Sequence, residues 1–227
     1  MPMTAIDDDM TGRRAAMVRE IERTAADVGP RFSLSPNVLA AMGEVPRHAF
    51  VLPEHLSDAY RNRPLPIGFG QTISQPFIVA LMTDLAALKP GDRVLDIGTG
   101  SGYQAAILAR LVSHVFTVEL CAPLAARAAK TFKDLGLHNI TMRIGDGHGG
   151  WPEQAPFDAI VAAAAPREIP EALVDQLRPG GRLVIPVGGR AQKLIVVEKG
   201  SDQSSHRSEI IPVSFVPLMK DDNAGST

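Results

Sequence analysis

The chain contains almost no cysteine and no long apolar run. Cys121 is the single cysteine among 227 residues, which excludes an intramolecular disulfide framework and is typical of a reducing compartment. No window approaches the roughly 18 consecutive apolar residues that predict a membrane span. The N-terminal segment MPMTAIDDDM lacks the basic and apolar regions of a secretory signal. We therefore expect a cytoplasmic protein that does not act at a membrane.

An excess of charge of one sign is also missing. The chain has 23 lysines and arginines against 25 acidic residues, a net charge of −2, and no long basic run. The positive surface that attracts nucleic acid is therefore not expected. The 6 histidines have no metal-site spacing with the cysteine and form no H-E-x-x-H pattern, so no metal ion is expected either.

The second part of the chain has the pattern of an α/β fold. From residue 76 onwards, apolar segments typical of buried strands, such as RVLDIG and FDAIVAAAA, alternate with helical patterns. This alternation predicts right-handed βαβ units and a doubly wound, mostly parallel sheet of Rossmann-like type. The last apolar segments, AQKLIVVEKG and SEIIPVSFVPL, predict an antiparallel hairpin at one edge of the sheet.

The first part of the chain differs. RRAAMVREIERTAAD predicts a helix from Arg13 to about Asp27, and a second short helix is expected from 35 to about 42. Residues 44–75 are rich in proline but also apolar, so they predict an ordered, mostly irregular segment that covers a site, with one brief helix over 55–61. We expect a single domain over 1–227, comprising N-terminal helices and the covering segment in 1–75, a cofactor-binding core in 76–219 and frayed ends in 1–10 and 220–227.

The sequence VLDIGTGSGYQ places a glycine-rich turn directly after a buried strand. In a doubly wound sheet this turn lies at the edge where ligands bind. Tyr103 stands where a dinucleotide fingerprint needs glycine, and the pattern of a P-loop fails there as well. The remaining motif is D-x-G-x-G-x-G, formed by Asp96, Gly98, Gly100 and Gly102, with Ser101 inside it.

Acidic residues follow three successive predicted strands. Asp96 suits a cationic ligand, because its carboxylate would repel a pyrophosphate. Glu119 can accept both hydroxyls of a ribose, and Asp146 with Gly147 can bind an adenine amino group. Two of the acids have a structural alternative, since Asp96 could cap a helix or pair inside the core, and Glu119 could be a solvated strand end. The three acids together with the glycine loop favour the ligand interpretation.

With these motifs the chain resembles the S-adenosylmethionine-dependent methyltransferases and, among them, the protein-L-isoaspartate O-methyltransferase family. The resemblance is carried by VLDIGTGSGYQ, QTISQP, GDGHGGWPEQAPFDAIVAAAAP and IPEALVDQLRPGGRLVIPVG, and it covers about residues 35–219. It implies transfer of a methyl group from S-adenosylmethionine to the free α-carboxylate of L-isoaspartyl residues in damaged proteins or peptides, which initiates their repair.

The resemblance also implies roles for individual residues. The catalytic serine of the family falls on Ser74, although this residue could instead cap the helix that follows. The implied substrate cleft is lined by Ser74, Val216, Pro217 and Leu218, and Met219 stands where the family often has threonine. The implied cofactor-binding residues are Gln71, Thr72, Asp96, Gly98, Gly100, Ser101, Gly102, Glu119, Asp146 and Gly147.

The segment IGFGQTISQP contains no acid, base or metal ligand. A free α-carboxylate has a pKa of about 3.5 and is already ionised at pH 7, so no base is needed to activate it. Neutral groups can orient it without stabilising the reactant more than the transition state. Two alternatives stay open: a methyltransferase of the same fold that acts on a small-molecule carboxylate or hydroxyl, and a cofactor-binding protein without activity.

Overall fold

The structure is a computed structural model, and it describes residues 5–29, 32–202 and 204–220. The predicted frayed tail, 220–227, lies outside these ranges except for Lys220, and so do residues 1–4 of the predicted frayed N-terminus. No helix within the described ranges is both long and apolar enough to cross a membrane.

Nine strands in the described residues form two sheets. They are β1 Leu65–Gly68, β2 Gln71–Ile73, β3 Arg93–Ile97, β4 His114–Glu119, β5 Ile140–Ile144, β6 Phe157–Ala162, β7 Leu177–Gly188, β8 Gln192–Lys199 and β9 Ser205–Val213. The larger sheet has the order β5-β4-β3-β6-β7-β8-β9. Its pairs are parallel from β5 to β7, whereas β8 and β9 add an antiparallel hairpin. The predicted fold class is confirmed.

The position of β3 determines where a ligand can bind. This strand pairs with β4 on one side and with β6 on the other, so the strand order reverses there. Its residues from Val94 to Ile97 are buried, as expected for a strand covered by helices on both faces. A doubly wound sheet leaves a crevice at such a reversal, outside the carboxyl ends of the strands.

Six α-helices lie in the described residues: α1 Ala5–Val28, α2 Pro36–Glu44, α3 Pro76–Leu85, α4 Tyr103–Ala109, α5 Ala122–Asp134 and α6 Glu171–Asp175. The prediction that residues 1–10 are frayed is wrong for 5–10, which form the start of α1. Met17, Ile21 and Ala25 anchor this helix in the core at helical spacing. The helix thus extends towards its N-terminus beyond the residues that anchor it.

The covering segment, residues 44–75, is ordered but more regular than its sequence predicts. It contains 3₁₀ turns at Arg47–Phe50 and Pro53–Asp58, and it ends in the antiparallel hairpin β1-β2. The brief helix predicted over 55–61 is present as the 3₁₀ helix Pro53–Asp58, which begins and ends earlier than predicted, and the two strands were not predicted. At the hairpin tip Gly68 and Gly70 have φ values of 85° and 69°, which glycine adopts without strain, whereas Phe69 between them has a φ of 55°, which residues with a side chain rarely adopt.

Arginine side chains fasten the covering segment to the core. Arg47 is fully buried, and its Nε donates to the carbonyl of Ala59 at 2.9 Å. Its guanidinium lies 4.9 Å from the centre of the Tyr103 ring at the start of α4. Burial lowers the pKa of Arg47 to about 10, while the nearby tyrosines raise it. Arg127 of α5 donates to the carbonyl of Ile67 in β1, so the hairpin is held over the sheet edge.

Candidate active site

A cavity that is partly open to solvent lies between the carboxyl ends of the parallel strands and the covering segment. Eleven of the fourteen predicted site residues line it, all except Asp96, Gly102 and Asp146. The eleven are Gln71, Thr72, Ser74, Gly98, Gly100, Ser101, Glu119, Gly147, Val216, Pro217 and Leu218.

The glycine loop between β3 and α4 requires glycine at its three marked positions. Gly98, Gly100 and Gly102 have φ values of 86°, 54° and 91°, which residues with a side chain rarely adopt. Gly102 lies below the cavity, where an added Cβ would be 2.6 Å from the Phe132 ring. The loop backbone thereby reaches the cavity while its end packs closely on α5.

Glu119 ends β4 with its carboxylate at the cavity. Its Oε2 accepts a hydrogen bond from the backbone N–H of Gly100 at 2.7 Å, and its Oε1 accepts one from Cys121 at 2.8 Å. A carboxylate has about four acceptor positions, so about two stay available for a ligand. Glu119 is only 7% exposed, which contradicts the alternative of a solvated strand end.

Asp96 is fully buried below the glycine loop and does not line the cavity. Its Oδ2 accepts from the Thr117 hydroxyl at 2.7 Å, and Thr117 is in turn bonded to Thr99 at 2.6 Å. Its Oδ1 has no hydrogen-bond partner in the described residues. The pKa of Asp96 is raised to about 7, mainly by burial. The hydrogen bond from Thr117 opposes this rise, and the nearby Glu119 carboxylate adds to it. The sequence predicted that Asp96 contacts the ligand directly. The structure instead places its side chain below the glycine loop, out of the cavity.

The loop after β5 brings its backbone, rather than its acid, to the cavity. Asp146 Oδ1 accepts from both the backbone N–H and the ring Nδ1 of His148, each at 2.8 Å. Gly147 follows and lines the cavity, and an added Cβ there would be 2.5 Å from Cγ2 of Ile97. The side chain of Asp146 thus shapes the turn in which Gly147 faces the cavity.

Uncharged polar groups form the opposite side of the cavity. Gln71, Thr72 and Ser74 lie there in β2 and just after it. The structure places the N-cap of α3 at Gln75 and shows no side-chain capping bond, so the capping alternative for Ser74 is wrong. Within the described chain, no hydrogen bond involves the Ser74 hydroxyl, which leaves it available to a ligand.

A groove adjoins the cavity and shares Thr72, Ser74, Ala163 and Val216 with it. The other residues that line it are Pro64, Gln75, Ile78, Pro212, Val213, Ser214 and Phe215. None of the lining residues carries a charge. The groove therefore offers a neutral surface, about equally polar and apolar, next to the free hydroxyl.

The C-terminal segment is fixed between the cavity and the sheet. The carbonyl of Val216 accepts from the backbone N–H of Ala165 at 2.9 Å, and the N–H of Leu218 donates to the Ala165 carbonyl at 2.9 Å. The side-chain amide of Gln192 bonds both the N–H and the carbonyl of Phe215. Met219 lines the cavity at the position where the sequence departs from the family pattern, and it is 53% exposed.

Several cavity residues were missed from the sequence. Tyr103 and Gln104 follow the glycine loop, and Ala163 and Ala164 follow β6. The rule that ligands bind at the carboxyl ends of parallel strands points to all of these positions. Cys121 also lines the cavity and is half-buried, whereas the sequence predicted a small buried residue.

Comparisons with known proteins agree with one another. The family model described as protein-L-isoaspartate(D-aspartate) O-methyltransferase (PCMT) matches residues 25–223. Protein-L-isoaspartate O-methyltransferase 1 of Cupriavidus necator is 52% identical over 222 residues, which are 96% of this chain and 86% of that protein. Protein-L-isoaspartate O-methyltransferase 2 of Syntrophobacter fumaroxidans is 52% identical over 219 residues, covering 94% of this chain and 89% of that protein.

Solved structures show the same similarity. One protein-L-isoaspartate O-methyltransferase structure aligns with a TM-score of 0.78 and 28% identity over 90% of this chain, which spans 65% of that structure's length. A crystal structure from Plasmodium falciparum, described as a beta-aspartate methyltransferase in complex with S-adenosyl-L-homocysteine, aligns with a TM-score of 0.77 and 25% identity, covering 91% of this chain and 98% of that one.

Proposed function

The chain belongs to the protein-L-isoaspartate(D-aspartate) O-methyltransferase family, and on that premise we propose that it methylates the free α-carboxylate of L-isoaspartyl residues in damaged proteins or peptides, which initiates their repair. The membership confirms the predicted enzyme class and S-adenosylmethionine as the cofactor. The observation that carries the proposal for this chain is the arrangement of the cavity. The glycine loop and the Glu119 carboxylate, which accepts a hydrogen bond from that loop, face uncharged hydroxyl groups.

The cavity residues fit the cofactor. Glu119 has free acceptor positions for the ribose hydroxyls, and the turn at Gly147 is open to the cavity for the adenine ring. The unpaired Oδ1 of Asp96 is an acceptor below the loop that a water molecule between it and the bound cofactor would satisfy. Because the pKa of Asp96 is about 7, a positive charge bound nearby favours its ionised form at neutral pH.

The chemistry requires little from the protein beyond orientation. When bound, S-adenosylmethionine supplies a methyl group on a positively charged sulfur. The Ser74 hydroxyl donates a hydrogen bond to the carboxylate of the substrate. This bond orients the carboxylate oxygen that attacks the methyl group. Holding reactants in such a geometry can contribute on the order of 7 to 11 kcal/mol. Gln71 and Thr72 keep the reacting end of the cavity polar but uncharged.

A neutral substrate side has an advantage over a cationic one. The attacking carboxylate loses negative charge as its bond to the methyl group forms, so a lysine or arginine would stabilise the reactant more than the transition state. In the described chain, Glu119 is the only charged residue that lines the cavity, and none lines the groove. The same arrangement needs no general base, since the nucleophile is ionised before it binds.

The groove suits the remainder of a polypeptide substrate. It begins at Ser74 and continues along the segment from Pro212 to Val216, away from the glycine loop. Within the chain we assign cofactor binding to 76–219 and substrate cover to 1–75. We also place the activity in the cytoplasm, which the single cysteine supports.

One assay tests the proposed function. The protein is incubated with methyl-labelled S-adenosylmethionine and two peptides that differ only in an isoaspartyl or an aspartyl residue. We expect base-labile label on the isoaspartyl peptide alone. No label on either peptide, with cofactor binding intact, would contradict the proposal. Label transferred instead to small carboxylic acids or alcohols would favour a small-molecule methyltransferase.

A further inference from the structure

We propose that Gln176 is a positioning residue that fixes the loop after β5, residues 145–151, against the cofactor cavity. Its own side chain does not line the cavity. The inference rests on the proposed function, because it takes Gly147 of this loop as part of the S-adenosylmethionine site. According to this inference, the position of Gly147 in the cavity depends on Gln176, which lies about thirty residues further along the chain.

The side-chain amide of Gln176 makes two hydrogen bonds to the loop. Its Oε1 accepts from the backbone N–H of Trp151 at 2.7 Å, and its Nε2 donates to the carbonyl of Gly149 at 2.8 Å. Gln176 is 7% exposed, so these bonds are shielded from water. Its backbone carbonyl accepts from Phe157 at 2.8 Å, at the start of β6. Gln176 thereby connects the loop to the central sheet.

The turn transmits this connection to the cavity. Gly150 has a φ of 61°, and an added Cβ would lie 2.3 Å from Oε1 of Gln176, so glycine permits the close approach of the amide. The N–H of Gly150 donates to the carbonyl of Gly147 at 3.1 Å and closes the turn. A displacement of Gly149 or Trp151 therefore also moves Gly147.

The opposite side of the loop packs on β3 and β4. The backbone at Gly147 lies so close to Ile97 that an added Cβ would be 2.5 Å from its Cγ2. The Trp151 ring packs against Phe116, with 5.7 Å between ring centres, and the Arg143 guanidinium lies 4.8 Å from its centre. These packing contacts limit how closely the loop can approach the sheet, whereas the two hydrogen bonds of Gln176 prevent the loop from moving away from the sheet.

The test uses two substitutions of Gln176 with different losses. Gln176→Met removes both side-chain bonds at similar volume, and Gln176→Glu keeps the acceptor but removes the donor. We expect the dissociation constant for S-adenosyl-L-homocysteine, measured by titration calorimetry without turnover, to rise roughly tenfold in Gln176→Met and less in Gln176→Glu. If Gln176→Met does not fold, Gln176→Glu decides the question by the same measurement.

A matched control separates positioning from stability. Asn139 also bonds backbone carbonyls through its amide, those of Ala109 and Val112, at the opposite end of the sheet. Asn139→Leu is expected to lower the free energy of unfolding to a similar extent while leaving the dissociation constant unchanged. Trp151 is the only tryptophan of the chain, so its fluorescence is also expected to change in Gln176→Met and not in Asn139→Leu.

Two results would overturn the inference in different ways. Gly147→Ala places a methyl group against Ile97 and reports whether the loop belongs to the cofactor site at all. If Gly147→Ala weakens binding and the Gln176 variants do not, the positioning role is wrong and the site assignment stands. If Gly147→Ala also leaves binding unchanged, the inference is wrong together with the cofactor assignment of this loop.

Discussion

The two sides of the cavity hold their polar groups in different ways. On the cofactor side, Glu119 accepts backbone hydrogen bonds at both carboxylate oxygens, and Asp96 is bonded to Thr117 below the loop. On the substrate side, Thr72 is exposed, and the Ser74 hydroxyl has no partner among the residues described. The first side is charged and fixed, and the second is neutral and free to turn.

This difference matches what each ligand brings. A cofactor with a positive charge is recognised by carboxylates that the protein has already oriented, so little ordering remains to be done on binding. The carboxylate of the substrate carries its own charge, and it requires only a donor that can follow it to the reacting position. The two sides can therefore be altered independently, and substitutions on each should have separate effects.

The largest effect is expected on the substrate side. Ser74→Ala removes the free hydroxyl, and we expect kcat to fall about a hundredfold because the attacking oxygen is no longer oriented. The dissociation constant for S-adenosyl-L-homocysteine should stay within about twofold, since Ser74 forms no hydrogen bond with the carboxylates that we assign to the cofactor. Ser113→Ala is a suitable control, because Ser113 bonds the carbonyl of Asp92 at the other end of the sheet. Parallel losses in turnover and affinity would assign Ser74 a structural role.

Glu119→Gln tests the cofactor side. The substitution removes the negative charge and weakens the bonds to the N–H groups of Gly100 and Cys121. We expect cofactor affinity to fall about thirtyfold, or roughly 2 kcal/mol, with a smaller change in kcat. Calorimetry on this variant and on Glu209→Gln, an exposed glutamate paired with Lys193, provides the comparison. A dissociation constant equal to that of the wild type would remove Glu119 from the site.

The pH dependence of cofactor binding tests Asp96. Because burial raises its pKa to about 7 in the free protein, a cationic ligand that favours the carboxylate binds more tightly as pH rises through 7. Between pH 6 and pH 8 we expect the affinity for S-adenosylmethionine to increase by about tenfold. Titrations across this range should show a flat profile in Asp96→Asn. A profile that is unchanged by the substitution would show that another group is responsible.

The raised pKa of Asp96 also affects the stability of the free protein, which is expected to fall with rising pH whereas cofactor affinity increases. The folded state keeps the proton on Asp96 up to about pH 7, whereas the unfolded chain releases it near pH 4. The folded state therefore binds more protons between these values, and its free energy of unfolding falls as pH rises through that window. Denaturant titrations of Asp96→Asn should lack this component.

The smallest effect is expected in the groove. Val213 lines it at the end of β9, and no neighbouring lining residue carries a charge. Val213→Lys should raise kcat/KM about threefold for an isoaspartyl peptide with an adjacent glutamate, relative to the same peptide with a lysine, because the new charge attracts the acid. An unchanged ratio for the two peptides would place the substrate chain elsewhere.

Strand order made the location of the cofactor side largely predictable from the sequence, whereas the hairpin that precedes Ser74 on the substrate side was not predicted. The carboxyl ends of parallel strands meet at one edge, so the glycine loop and Glu119 could be placed by strand order alone. The depth of Asp96 depends on how the loop folds above Thr117, which no local pattern encodes. The strands of β1-β2 are short, contain Pro66 and Gly68, and form only against the core. Gln176 was missed because its partners lie far away in sequence.

The pH profile of turnover tests the central claim most directly. If the nucleophile arrives ionised and only neutral groups orient it, kcat at saturating cofactor and isoaspartyl peptide should not change between about pH 6 and pH 9. The loss of affinity below pH 7 should then appear in kcat/KM for the cofactor and not in kcat. A sigmoidal rise of kcat with a midpoint in this range, absent in a variant of one ionisable side chain, would reveal a general base and contradict the account.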